Sequence, residues 1–337
     1  MESMQVLDVA APVGIFVHQG REIIPGDNDG RVRSPNDCDG YIVMDLPGIA
    51  GQRNYPLARP HLVDDPYVLR AVDHVEQALS EPLTLNDVAA KAGLSPFHFH
   101  RRFAASMGET IGDYIRIARL SLAASLIARS ETAILEAALR TGYGSQAAFT
   151  RAFGKQFEHT PKNLRALVLE RAPSPTALHR DFAGAASLQV QPGTPLIGMR
   201  FHGGYDQVLT HWRHFARYLL RTGFNLDRAQ AVGVLYDDPG ITPANRIRYD
   251  CCMIDAGWPD HFIESPLRRL NLQVGAYAQV KVDGEYRLVS ESIFSLCVLW
   301  LQRHRRGLGN GLAYEIYSAP PWTGSGDISA TVLVPIL

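Results

Sequence analysis

The apolar positions of this chain fall into three textures. From Pro66 to about Leu169 they recur three and four residues apart. Beyond Leu188 short apolar runs alternate with helical stretches, and before Pro66 neither period is sustained. In the first of these regions Val68, Leu69, Val72, Val75 and Leu79 predict a helix over 67–80, ended by Pro82. Thr84, with Asp87 three residues on, has the form of a capping box for a helix whose apolar face is Leu85, Val88, Ala89 and Ala92. Gly93 permits a turn, Ser95 is expected to cap the next helix, and Pro96 stands in its first turn, where a missing N–H costs nothing. The pattern Ser95, Phe99, Arg101, Phe103 then returns fifty residues later as Ser145, Phe149, Arg151, Phe153, with Gly142 in the place of Gly93. Four-residue spacing puts each pair of phenylalanines on one helix face and the arginine off it. Helix, glycine turn and serine-capped helix, written twice, predict a tandem helix-turn-helix. A helix over about 111–128, about 25 Å long, would hold the two units apart.

A different duplication occupies the last part of the chain, with an offset of 81 residues. Gly203-Gly204-Tyr205 matches Gly284-Glu285-Tyr286, Leu235-Tyr236 matches Ile316-Tyr317, and Pro239 matches Pro320. Each copy begins with an apolar strand (196–201 and 275–282), continues into an apolar-periodic helix (205–221 and 286–303) and ends in two more strands. Strand-helix-strand-strand, twice, implies an antiparallel sheet with two helices on one face, and a groove along the pseudo-twofold as a ligand site. The expected organisation is an N-terminal extension without regular structure over 1–65, apart from a short strand pair. An all-α tandem helix-turn-helix domain over 66–170 follows, then a Pro/Ala-rich linker over 171–187 and a duplicated α+β domain over 188–337.

Composition narrows the class. A chain of 337 residues, 46% hydrophobic and 20% charged, is ordinary for a soluble globular protein of two or three domains. It contains no run of eighteen apolar residues and does not open on a basic-then-apolar leader, so a cytoplasmic protein without a membrane partner is expected. Cys38, Cys251, Cys252 and Cys297 lack metal-ligand spacing and are expected to be reduced, buried thiols; no metal or cofactor is implied. The net charge of −1 conceals a split: residues 1–65 carry five arginines against ten acids, whereas 95–165 carry ten basic residues against five acids. The basic excess coincides with the repeated helical pattern, as a surface facing DNA phosphates requires.

Residues 66–170 resemble the AraC/XylS family of transcription regulators. The resemblance is carried by Ile134-Leu135-Glu136-Ala137-Ala138-Leu139-Arg140-Thr141-Gly142-Tyr143-Gly144-Ser145-Gln146-Ala147-Ala148-Phe149-Thr150-Arg151-Ala152-Phe153 and then Thr160-Pro161. It implies double-stranded DNA as a partner, recognition helices entering adjacent major grooves, and RNA polymerase as a second partner. With Phe99, Phe103, Phe149, Phe153 and Phe157 in the core, the outward set is Phe97, His100 and Arg101 on one helix and Gln146, Ala147, Thr150 and Arg151 on the other. Arginine suits guanine, glutamine suits adenine and an apolar side chain suits a thymine methyl. Arg102, Arg116, Arg119 and Lys155 are candidates for phosphate contact.

Residues 188–337 resemble the GyrI-like small-molecule-binding domain, most tellingly in Tyr314-Glu315-Ile316-Tyr317 followed by Pro320. The resemblance implies that Glu315 lies in an aromatic pocket and pairs with a lipophilic, cationic effector. Strand alternation puts Glu315 and Tyr317 on one face, and a buried carboxylate without a partner invites a cation, helped by aromatic walls. At an offset of 81 the sister of Glu315 is Val234. Tyr205, Tyr286, Tyr277 and Trp322 are the expected walls, with Tyr236, Tyr249, Trp212 and Trp258 as further candidates. The resulting expectation is a ligand-responsive regulator rather than an enzyme. The alternatives are hydrolysis of a reactive ligand by the same acid, and a sequestering or protein-interaction module.

Overall fold

The computed structural model of the protein describes residues 17–18, 21–22 and 62–337, except 172–173, 227–228 and 324–325. Most of the expected N-terminal extension, with Cys38, and Ala172-Pro173 of the expected linker lie outside the described residues. Val17–His18 (β1) pairs antiparallel with Arg21–Glu22 (β2). The end of the expected extension belongs to the folded body. Val63 is buried, Leu62 forms a β-bridge with Phe201, and Asp65 caps the first helix by accepting from the backbone N–H of Tyr67 and Val68.

Seven helices build the helical half: α1 (Pro66–Gln77), α2 (Leu85–Ala92), α3 (Pro96–Met107), α4 (Ile111–Arg129), α5 (Ile134–Arg140), α6 (Gln146–Phe157) and α7 (Pro161–Arg171). The Thr84–Asp87 capping box is formed, and Gly93 and Gly142 take the left-handed φ of +78° and +81° that each turn requires. Ser145 accepts from the N–H of Ala148, whereas Ser95 stands at its N-cap without a side-chain bond, so that capping expectation is corrected. The paired phenylalanines are core: Phe99 and Phe103 have ring centroids 5.5 Å apart, and Phe149 and Phe153 are 5.3 Å apart. With 19 residues α4 is about 28 Å long and is buried around most of its circumference, because it packs against both units and against the sheet domain.

The stretch expected as a linker carries α8 (Ala177–Ala185), capped by Thr176. Its buried His179 bonds Glu291 at 2.6 Å and fixes the helix on the sheet domain. The sheet has eight antiparallel strands: β3 (Ser187–Gln191), β4 (Thr194–His202), β5 (Ala231–Leu235), β6 (Arg248–Ile254), β7 (Arg268–Leu272), β8 (Gly275–Glu285), β9 (Ala313–Tyr317) and β10 (Asp327–Pro335). Their order is β3-β8-β10-β9-β5-β6-β4-β7. The two edge strands, which the apolar pattern does not predict, are exchanged between the repeats. β3 leads into β4 but pairs with β8, and β7 leads into β8 but pairs with β4. The helices are α9 (Val208–Arg221) and α10 (Leu288–Phe294), the latter continuing through a π-helical turn at Ser295–Trp300 into Leu301–Arg303.

Register shows where the duplication slips. Met199 faces Cys251 in the first repeat and Val280 faces Val332 in the second, an offset of 81 on both strands. Cys251 also faces Gly233, whereas Val332 faces Glu315, an offset of 82. The sister of Glu315 is therefore Gly233 and not Val234, which lies on the opposite face. The extra residue enters inside the second helix. Tyr205 and Tyr286 open the two helices at an offset of 81, and the left-handed residues that close them, Gly223 and Arg305, differ by 82. A π-helical turn is how a helix accommodates one inserted residue. Gly233 and Glu315 face each other across β5 and β9, so the pseudo-twofold passes through this pair.

The helical half is fastened to the sheet by buried ions. Both carboxylate oxygens of Glu76 in α1 accept from Arg200 at 2.9 Å; Oε1 also accepts from Arg248 at 2.9 Å and from Tyr114 Oη at 2.6 Å. Arg200 in turn donates to Asp250 at 2.6 Å, and Arg248 to Asp237 at 2.7 Å. Arg268 bridges Asp250 and Asp73 of α1, and Arg246 pairs with Glu109 at 2.7 Å. Burial alone would raise the Glu76 carboxyl, but the charges of Arg200 and Arg248 outweigh it and hold the group at about 2. Glu76→Gln would leave two buried guanidinium groups short of an anion, so a loss of about 3–5 kcal/mol at pH 7 is expected in chemical denaturation. The folded pKa lies below the ordinary 4.5, so this stabilisation is complete above pH 4.5 and is lost as the pH falls through about 2. The gap between wild type and variant should close over that window.

Candidate functional site

Two surfaces carry chemistry. On the helical half, Phe97, His100 and Arg101 of α3 and Gln146, Ala147 and Arg151 of α6 are exposed, and Thr150 is half-buried. Phe97 is 67% exposed, too much for a core aromatic, and the Arg101 guanidinium lies 5.7 Å from its ring centroid. All six remain open with the sheet domain docked. Three of the basic residues expected to be candidates for phosphate contact also have partners within the protein. Arg102 binds Asp65 at 2.5 Å, Arg116 binds Gln156 and Asp113, and Arg119 donates to the carbonyls of Leu79 and Glu81.

The second surface is built around Glu315. Strand β9 alternates, so Tyr314 and Ile316 point to one face while Glu315 and Tyr317 point to the other, toward α9 and α10. Glu315 is fully buried. The carboxylate was expected to lack a partner, and the geometry corrects this: Oε2 accepts from Tyr249 and Tyr317 at 2.6 Å each, and Oε1 accepts from Tyr286 at 2.6 Å. Trp212 Nε1 donates to the Tyr249 and Tyr317 hydroxyls at 3.1 and 3.3 Å and locks them in place. Burial raises the Glu315 carboxyl more than the three phenols lower it. Burial, then the neighbouring carboxylate, pushes the Tyr317, Tyr249 and Tyr286 phenols well above their ordinary value, so they keep their protons and donate.

Beside this cluster opens a cavity of about 140 Å³. Tyr205 and Tyr286 stand in its wall with Leu235, Val289, Ile293 and Val334, while Asp237 and Asp238 bring acid to its rim. Tyr286 therefore separates the cavity from Glu315, with its ring in the wall and its hydroxyl on the carboxylate. Tyr205 donates instead to the Asp237 carbonyl at 2.7 Å. The structure thus unites Glu315, Tyr317 and Tyr286, with Tyr205 next to them. Trp322 sits one layer out, 5.8 Å from the Trp212 ring. Tyr277 does not belong: it lies on the opposite face of the sheet, 5.9 Å from Tyr314 in the apolar cluster there. Trp258 packs on Phe224 and Phe262 elsewhere. The sequence reading missed Gly233, Asp237, Asp238 and the interdomain arginines. For the interdomain arginines a signal was present in Arg248-Tyr249-Asp250, charges alternating within an otherwise apolar strand. Among the described residues no group of three or more His, Cys, Asp or Glu could hold a metal, and no helix is long and apolar enough to cross a membrane.

Paired helix-turn-helix units joined to a duplicated sheet with an acid-based pocket define a nucleic-acid-reading fold coupled to a small-molecule fold. Comparison with known proteins agrees. A family model described as a helix-turn-helix domain matches residues 88–166, and one described as a GyrI-like small molecule binding domain matches residues 187–337. The regulatory protein SoxS of Escherichia coli (strain K12) is 38% identical over 91 residues, covering 27% of this chain and 85% of SoxS. The Right origin-binding protein of the same organism is 47% identical over 154 residues, 43% of this chain and 51% of that protein, so the chain spans about half the length of that relative. A solved AraC-type transcriptional regulator from Chromobacterium violaceum is 28% identical, with a TM-score of 0.30 over 32% of this chain and 96% of its own. The chain belongs to the AraC/XylS family of regulators and carries a GyrI-like domain.

Gly233 faces Glu315 across the strand pair because nothing larger fits: a Cβ there would overlap Tyr249 Oη and Glu315 Oε2. Gly233→Ala should therefore cost about 1–3 kcal/mol in urea denaturation, because the rigid Tyr249 ring must leave its bond to Glu315.

Proposed function

We propose that this protein is a cytoplasmic, sequence-specific DNA-binding transcription regulator whose GyrI-like domain senses a lipophilic cation. The observation that carries the reading is the buried Glu315 carboxylate beneath an apolar, aromatic-walled cavity, in a chain whose two candidate recognition helices stay exposed. In the free state the three phenols satisfy Glu315. A cation enters from the cavity, swings Tyr286 off Oε1 and takes its place, while the tyrosine rings supply cation–π attraction in a desolvated setting. On the DNA side Arg151, Arg101 and Gln146 read base edges and His100, Phe97, Thr150 and Ala147 line the contact. The family's use of RNA polymerase as the downstream partner completes the proposal.

Two measurements test it. Arg151→Ala should weaken a selected duplex by about 1–3 kcal/mol while leaving random DNA less affected, read by fluorescence anisotropy; equal losses on both would remove Arg151 as a base reader. Glu315→Gln should weaken a lipophilic quaternary ammonium more than its neutral isostere in a thermal-shift titration of the full chain. At about 100 times its dissociation constant a ligand stabilises by about 2.7 kcal/mol. Equal shifts for the charged and neutral probes would sink the counter-ion role.

A further inference from the structure

The cavity beside Tyr286 is not enclosed by the GyrI-like domain alone. The C-terminal half of α4 forms one wall, through Ser121, Leu122, Ser125 and Leu126, and Arg129 closes its edge. Arg129 is fastened to the opposite rim by two hydrogen bonds to Asp238, at 2.7 and 2.9 Å, with the two side chains only 10% and 7% exposed. The same helix joins the two helix-turn-helix units, so a part of the DNA-binding half is also part of the pocket.

Size makes this consequential. A cavity of about 150 Å³ holds one benzene ring, so the 140 Å³ here matches the space of about one ring. Interiors are close-packed, and a larger guest held wholly inside must move a wall. Leu235, Ala313 and Val334 lie in the laddered centre of the sheet and cannot retreat without breaking strand pairing. The remaining walls are α10 and α4, and α4 meets this rim through the Arg129–Asp238 ion pair.

We propose that α4 is a component of the ligand site, and that a cation of two or three fused rings entering beside Tyr286 displaces its C-terminal half from Asp238. Occupancy then acts directly on the helix that spaces the two recognition helices. This rests on the cation-sensing reading above. The matching ligand is a flat, lipophilic monocation: its rings fill the space between α4 and α10, and its charge reaches Glu315. A one-ring cation binds without moving α4 and is silent toward DNA. By linkage, a duplex that requires one position of α4 changes the affinity of the larger cation by the factor that the cation changes the affinity of the duplex.

The test uses the full chain, benzyltrimethylammonium (one ring), N-methylacridinium (three fused rings) and a duplex selected by the protein from a random pool. With Arg129→Gln the rim is unlatched, and N-methylacridinium should bind about fivefold or more tighter while benzyltrimethylammonium is unchanged. Equal effects on both probes, or none, overturn the proposal. Ser125→Trp installs a covalent occupant in the cavity. It should change affinity for the duplex carrying both half-sites by about fivefold or more without ligand, and leave a single half-site unaffected; an unchanged two-site affinity in a variant that melts cooperatively overturns the proposal. The two readings fail separately. If neither cation binds wild type, cation sensing falls and the Ser125→Trp measurement still decides the role of α4. If both bind and Glu315→Gln weakens them while Arg129→Gln and Ser125→Trp do nothing, sensing stands and the α4 wall falls.

Discussion

The architecture depends on one carboxylate, Glu76. It is the sole α1 acid that meets two sheet arginines, Arg200 and Arg248, and each of those is neutralised a second time, by Asp250 and Asp237. Ions this deeply buried stabilise little in net terms, since desolvation consumes most of their attraction, but an incomplete set is costly. Such a network tolerates one docking geometry and penalises the rest. That geometry brings α4 over the pseudo-twofold groove, and it leaves the outward faces of α3 and α6 open.

The same groove shows how a near-symmetric scaffold produces one asymmetric site. Two identical repeats would put the same residue at both ends of the β5–β9 axis pair. Here one end is Gly233 and the other Glu315. The second repeat carries one extra residue, absorbed in the π-helical turn of its helix, and in a strand a one-residue shift moves every side chain to the other face. Tyr249 and Tyr286 then converge on a single acid from different repeats, and among the described residues the sister position carries no second acid.

The helical half was legible in the sequence because its signals are local: a capping box, two glycine turns and phenylalanines four apart all describe contacts within one unit. The strand-helix-strand-strand repeat and the inward Glu315 were legible for the same reason. What stayed hidden was every feature set by distant partners. The edge strands β3 and β7 have little apolar periodicity because each is stabilised by the other repeat. The helix α8 reads as a linker because its anchor, Glu291, lies more than a hundred residues away. Tyr277 looked equivalent to the other tyrosines because type alone does not reveal the face, and Gly233 was invisible because its role is the absence of a side chain.

The exchange of first strands has a consequence for how the chain comes into being. Ser187 leaves the ribosome well before Gln279, its partner in the sheet, and at ordinary rates of synthesis that interval is about 5–20 seconds. Neither repeat can close its own edge in the meantime, whereas the helical half, dominated by short-range contacts, can fold as it emerges. Each newly made molecule therefore passes through a stage in which the helical half is complete and the GyrI-like domain is not.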